Sequence, residues 1–191
     1  MVRRAISAGI GVVLLASTGS AGAQAATLDE LLDALAARGA VVARFEEQRQ
    51  LAFLERPLVS WGTISFSPPD ELIKQTLGPE PSLARIEGDR LLIVDGSGER
   101  QLSLDSDPAI RVYVAPFRAV LAGDRASLER HYDIAAELGS SWSLKLTPRS
   151  AEVAQRIERI AIAGRDDRVE RIEIREPGGH AISLQLSETG Q

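Results

Sequence analysis

The chain has 191 residues, 44% of them hydrophobic and 26% charged, which fits one soluble domain with a real core. It contains no cysteine, so a disulfide framework, cysteine-ligated zinc, an iron–sulfur cluster, a thiol nucleophile and a lipid anchor on cysteine are all excluded. Two histidines are too few for a multi-histidine metal or catalytic centre, and a formal charge of −5 argues against nucleic acid or anionic lipid surfaces as partners.

Residues 1–25 read as a secretory signal peptide. Arg3 and Arg4 form a basic start, Ala5 to Ala16 is a short apolar stretch, and Ala23-Gln24-Ala25 fits a cleavage site. The remainder, 26–191, is expected to be one exported, periplasmic domain. It keeps 20 basic against 27 acidic residues, a formal charge of −7.

The expected domain opens on a helix. Thr27-Leu28-Asp29-Glu30 is a capping box, Leu28, Leu31, Leu32 and Leu35 share one face, and Gly39 is a stop. From Val41 the period changes to two, and a polar Glu-Gln-Arg-Gln stretch follows Phe45 and Glu46. Leu58 to Ser67 is a second strand with Gly62, Ile64 and Phe66 on one face. Glu71 to Leu77 is a third, then Leu83 to Glu87, Arg90 to Val94 and Arg100 to Leu104, separated by Gly/Asp turns. Asp107 is placed to cap a helix beginning at Pro108, whose stripe is Ile110, Tyr113, Val114, Phe117, Val120 and Leu121. Pro116 should kink or split it. Asp124 can cap a short second helix, Arg125 to Arg130. Strands then resume at Tyr132–Glu137, Trp142–Thr147, Arg156–Ala163, Arg168–Arg175 and Ala181–Ser187. The total is about eleven strands, one N-terminal helix and one helical insertion. The class is mainly β with added α, an antiparallel meander and not a doubly wound parallel sheet.

Signals for chemistry are sparse. Gly96-Ser97-Gly98 opens no helix and reads as a hairpin turn, and Gly139-Ser140-Ser141 lacks nucleophile-elbow spacing. Asp105-Ser106-Asp107 and Asp166-Asp167 read as turn or cap residues, and His131 and His180 have no evident partner. No catalytic residue, metal site or cofactor is expected. Lys74 stands apart, two residues after Leu72 on the same strand face. If that face lines a cavity, its ammonium could meet an acidic head group; otherwise it snorkels to solvent. With only four Phe, two Trp and two Tyr for so much strand, a curved sheet could leave its concave face incompletely filled.

The run Val41-x-Ala43-x-Phe45-x-x-Gln48, then Gly62-x-Ile64-x-Phe66-x-Pro68-Pro69, then a Leu/Lys strand ending near Pro79, then Gly88-Asp89-x-Leu91 resembles the LolA-like family of periplasmic lipoprotein carriers. The run Pro68 to Thr76 and the helix end Leu121 to Asp124 resemble a LolA-related subgroup. The resemblance implies an unclosed, strongly curved antiparallel β-barrel with helices lidding its concave face. It implies a non-enzymatic, monomeric carrier or binder of a lipoprotein acyl moiety or another apolar lipid. Candidate partners are an inner-membrane transporter and an outer-membrane acceptor. Carried onto this chain, the cavity residues are Phe45, Ile64, Phe66, Leu72, Lys74, Val114, Phe117 and Leu121. Lacking cysteine, the chain resembles the soluble branch of the family and not its anchored acceptors. It departs from lipoprotein carriers at three positions. Pro68 stands where they hold a basic residue tying lid to barrel, Leu72 where they hold a large aromatic, and Lys74 where they hold a tryptophan. Two other classes stay open: an accessory subunit docking with an inner-membrane transporter or acyltransferase without its own ligand, and an enzyme built on this fold.

Overall fold

The computed structural model describes residues 27–106 and 108–188; the expected signal peptide and the Asp107 cap lie outside these residues. Helix α1 spans Leu28–Ala37. Its capping box forms as the sequence dictates: Glu30 N donates to Thr27 Oγ1 (3.2 Å) and Thr27 N donates to Glu30 Oε2 (2.7 Å). Leu31, Leu32 and Leu35 are buried, and Gly39 leaves the helix at a φ of +70°.

Six strands follow: β1 Val41–Gln50, β2 Leu58–Ser67, β3 Glu71–Gly78, β4 Ser82–Glu87, β5 Arg90–Asp95 and β6 Gly98–Ser103. Helices α2 (Pro108–Leu121) and α3 (Arg125–His131) interrupt the sheet. The second half holds β7 Tyr132–Glu137, β8 Ser141–Pro148, the short helix α4 Ala151–Ala154, β9 Arg159–Arg165, β10 Arg168–Glu176 and β11 His180–Glu188. All neighbours are antiparallel, in the order β6-β5-β4-β3-β2-β1-β11-β10-β9-β8-β7. The first and last strands therefore meet at the centre, Phe45 opposite Leu186 and Glu47 opposite Leu184. The two edges, β6 and β7, flank the helical insertion and share no ladder. This is the unclosed, curved antiparallel barrel expected.

The first strand runs through the polar stretch to Gln50, with Glu47 and Arg49 in the phase of Ala43 and Phe45. Three local expectations need correction. Pro116 does not split α2, which continues to Leu121 with the proline ring fully buried. The strand expected from Arg156 starts at Arg159, after α4. Gly164 and Arg165 belong to β9, leaving Asp166-Asp167 as a two-residue turn with Asp166 at a φ of 51°.

Gly164 is required by close approach. A Cβ there would lie 1.8 Å from the Arg168 carbonyl oxygen and 2.6 Å from the Trp142 ring. Its absence lets Trp142 fold over the β9–β10 hairpin, where the indole N–H donates to the Asp166 carbonyl (2.9 Å).

Apolar residues gather on the concave face in two clusters. One joins α1, α3 and β8–β11 through Leu32, Leu128, Leu146, Ile157 and Ile160. The other joins β2–β5 through Phe66, Leu72, Ile86, Leu91 and Leu104, with Ile110, Val114 and Leu121 of α2 packed on it.

Candidate functional site

Between the two clusters and beneath α2 lies a cavity of about 400 Å³. Its walls are apolar and come from both halves of the sheet: Ile64, Leu72, Ile86, Leu91 and Ile93 on one side, Ile172, Ile174, Ile182 and Leu184 on the other. Tyr113, Val114 and Phe117 of α2 close it. Strand alternation explains the lining. Leu72 and Lys74 share a face of β3, and cross-strand pairing sets Lys74 beside Ile64 on β2 and Ala84 on β4.

The polar groups of this cavity collect at one end. Glu47, Arg49 and Lys74 line it, and Tyr113 faces them from α2. Lys74 Nζ is ion-paired and hydrogen-bonded to Glu47 Oε2 and lies over the Phe45 ring, 4.8 Å from its centroid. The Tyr113 hydroxyl donates to Glu176 Oε1 (2.9 Å), and Arg49 Nη2 stands 3.9 Å from the same carboxylate oxygen. Burial, with the Glu176 contact adding to it, pushes the Tyr113 hydroxyl up to about 12, so it stays a donor at neutral pH.

A smaller hollow of about 70 Å³ lies towards the other end, lined by Val41, Ala43, Phe66 and Leu121. Ile64, Leu72, Phe117 and Ile172 line both spaces and form the waist between them. Its rim is a clamp: Arg38, at the end of α1, donates to Glu188 (Nη2 to Oε2, 2.8 Å) and to the Asp167 carbonyl (3.3 Å). These bonds hold Glu188 below the usual carboxylate range, the hydrogen bond from Arg38 contributing most.

Helix α2 is tied to the sheet on both flanks. Besides Tyr113 on Glu176, Arg118 Nη1 donates to the Gly88 carbonyl (2.7 Å) and Nη2 meets Asp70 Oδ2 at 3.2 Å. Pro68 leaves no basic residue on the barrel side, so the cation of this tie sits on the helix and its acceptors on the turns flanking β3 and β5. A third hollow, about 380 Å³, lies against this helix, with Asp89, Arg111, Asp124 and His131 among its lining.

Of the residues expected from sequence, Ile64, Leu72, Lys74, Val114 and Phe117 line the large cavity. Phe66 and Leu121 line only the small hollow. Phe45 lines neither and touches the site through Lys74. The sequence reading missed Glu47, Arg49 and Glu176. The signal was available for the first two, since alternation carried past Phe45 puts them on the concave face. Lys74 and His131 line different cavities, and the described residues contain no cluster of potential metal ligands.

Comparison with curated protein sequences returns no significant match. Among solved structures, a LolA superfamily protein from Nitrosomonas europaea aligns at a TM-score of 0.44 and 12% identity, covering 85% of this chain and 92% of that one. A DUF1329 family protein from Desulfovibrio piger aligns at 0.47 and 12%, covering 84% and 88%. The MucA/MucB complex structure from Pseudomonas aeruginosa aligns at 0.47 and 14%, covering 86% and 58%. The family model described as outer membrane lipoprotein carrier protein LolA-like matches residues 20–188, nearly the whole chain. The chain belongs to this LolA-like family.

Proposed function

We propose that the protein is a periplasmic carrier or binder that holds the apolar part of a lipid or of a lipoprotein's acyl moiety in the cavity beneath α2. The observation that carries this reading is the cavity itself: about 400 Å³, apolar along its length, with its ionisable lining at one end. That volume falls within the range of about 300–1,000 Å³ typical of small-molecule sites. The driving force is burial, about 0.8 kcal/mol for each methylene removed from water. The proposed ligand contacts are Ile64, Leu72, Val114 and Phe117 in the main chamber, Phe66 and Leu121 beyond the waist, and Lys74 backed by Phe45 at the polar end. The reading treats the chain as non-enzymatic and monomeric. It draws support from the expected signal peptide and from family membership. An inner-membrane transporter and an outer-membrane acceptor would be its partners for loading and delivery.

Native mass spectrometry of protein gently extracted from its own periplasm tests this. A lipid mass that is retained on the folded protein and lost on denaturation is expected. Ala84 lines the chamber, so Ala84→Phe should fill it and abolish retention without unfolding the protein. Stoichiometrically empty protein from cells with an intact lipid supply would overturn the reading.

A second reading gives up the ligand and makes the chain an accessory subunit that docks with an inner-membrane transporter or acyltransferase. The exposed apolar side chains Phe53, Leu58, Trp61 and Leu77 favour it. A stoichiometric partner recovered from envelope membranes together with an empty cavity would establish it in place of the first.

A further inference from the structure

We infer that the ligand is an amphiphile ending in an anionic group, with an apolar chain in the large cavity and its head against Arg49 and Lys74. This rests on the carrier reading and names the ligand class.

Charge sets the head. The ionisable lining of the cavity is one carboxylate, Glu47, and two cations, Arg49 and Lys74, a positive balance in a chain whose overall charge is −5. The second carboxylate, Glu176, stands outside that lining, 3.9 Å from Arg49.

Depth sharpens the point. The carboxylate side chains are 15% and 14% exposed, the Lys74 and Arg49 side chains 30% and 47%. The anions thus sit behind the cations, holding them from the protein side and leaving their outer donors towards the opening. Arg49 is the less engaged of the two. Among the described residues its guanidinium makes no hydrogen bond, and its 3.9 Å approach to Glu176 is too long for one. A carboxylate or phosphate arriving on a chain would meet a guanidinium with unspent, fork-shaped donors. A neutral head would find no matching charge, and a cationic head would meet repulsion.

The test is a titration series on one twelve-carbon chain with four heads: dodecanoate, dodecyl phosphate, dodecanol and dodecyltrimethylammonium, each below its micellar concentration. Both anions are expected to bind about ten-fold or more tighter than dodecanol, and the cation weakest. Arg49→Gln, at a half-exposed position, should lower that preference several-fold. Glu47→Gln should raise anion affinity by freeing Lys74. Dodecanoate against dodecyl phosphate then separates a carboxylate source from a phosphate one, and either supports the inference. Equal binding of dodecanol and the anions, or an anion preference that survives Arg49→Gln combined with Lys74→Gln, overturns the head-group assignment and leaves the carrier reading standing. If none of the four binds, the carrier reading fails and this inference with it.

Discussion

The two halves of the sheet are built from the same kind of strand yet are filled differently. At the β8–β9 end, Leu144, Leu146, Ile157, Ile160 and Ile162 are 0–1% exposed, sealed by α1, α3 and the Ala119–Val120 end of α2. On the β2–β5 half, the buried residues Phe66, Leu72, Ile86 and Leu91 retain 3–9% exposure, and α2 lies over them with the cavity between. The β8–β9 end is a core, while β2–β5 is a wall of the cavity, shared with Ile172, Ile174, Ile182 and Leu184 of β10–β11. The difference lies in what each concave face is packed against. Helix α1 brings a leucine face with Leu31, Leu32 and Leu35 buried. Helix α2 brings a mixed stripe in which Tyr113 and Arg118 are spent on polar ties to the sheet.

The largest expected effect attacks the core half at its tightest point. Gly164→Ala puts a Cβ 1.8 Å from a backbone carbonyl, so the β9–β10 hairpin must open. A loss of about 4 kcal/mol or more is expected in chemical denaturation. Next, matched truncations compare the halves directly. Leu146→Ala should cost about 3–5 kcal/mol, while Leu91→Ala on the cavity wall should cost about 2, since one side of that leucine already faces open space. Equal losses would mean that the wall is packed as tightly as the core.

Smaller effects fall on the ties of α2. Tyr113→Phe removes the donor to Glu176 and should cost about 1 kcal/mol. Arg118→Gln should cost about as much, given its partial exposure. Both should speed amide exchange along α2 and the release of a bound lipid, while leaving exchange in β8–β10 unchanged. The smallest effect is a pH slope from the clamp between α1 and the sheet. Glu188 binds its proton less readily folded than unfolded, so its stabilisation is full at neutral pH and fades as acid protonates it. Urea midpoints should therefore fall as pH drops through and below the ordinary carboxylate range, with a shallower slope in Arg38→Gln.

Much of the wall was legible in the sequence because period-two alternation is a direct image of a sheet with one covered face. Leu72 and Lys74 share a phase, and so do Ile64 and Phe66, so the concave lining could be named before any contact was seen. What was not legible follows from how polarity is read. Glu47 and Arg49 read only as part of a polar stretch, because charged residues usually mark solvent, yet both line the cavity. Glu176 gave no signal, since its role depends on Tyr113, sixty-three positions away and on a helix. The division of the site into two chambers was equally hidden, because the waist at Phe117 depends on how closely α2 approaches the sheet. Helix α4 escaped because four residues carry no periodic pattern.

The placement of the two sheet edges has a mechanical consequence. A closed barrel behaves like a hoop: to widen it, backbone hydrogen bonds must lengthen all the way round. Here the circumference is interrupted between β6 and β7, which no ladder joins and which α2 and α3 link along the chain. The bore can therefore change with the bending of the sheet, at the cost of a few side-chain contacts and no ladder. A guest longer or thicker than the resting space would be accommodated by opening that seam, with the tightly filled half serving as the fixed jaw.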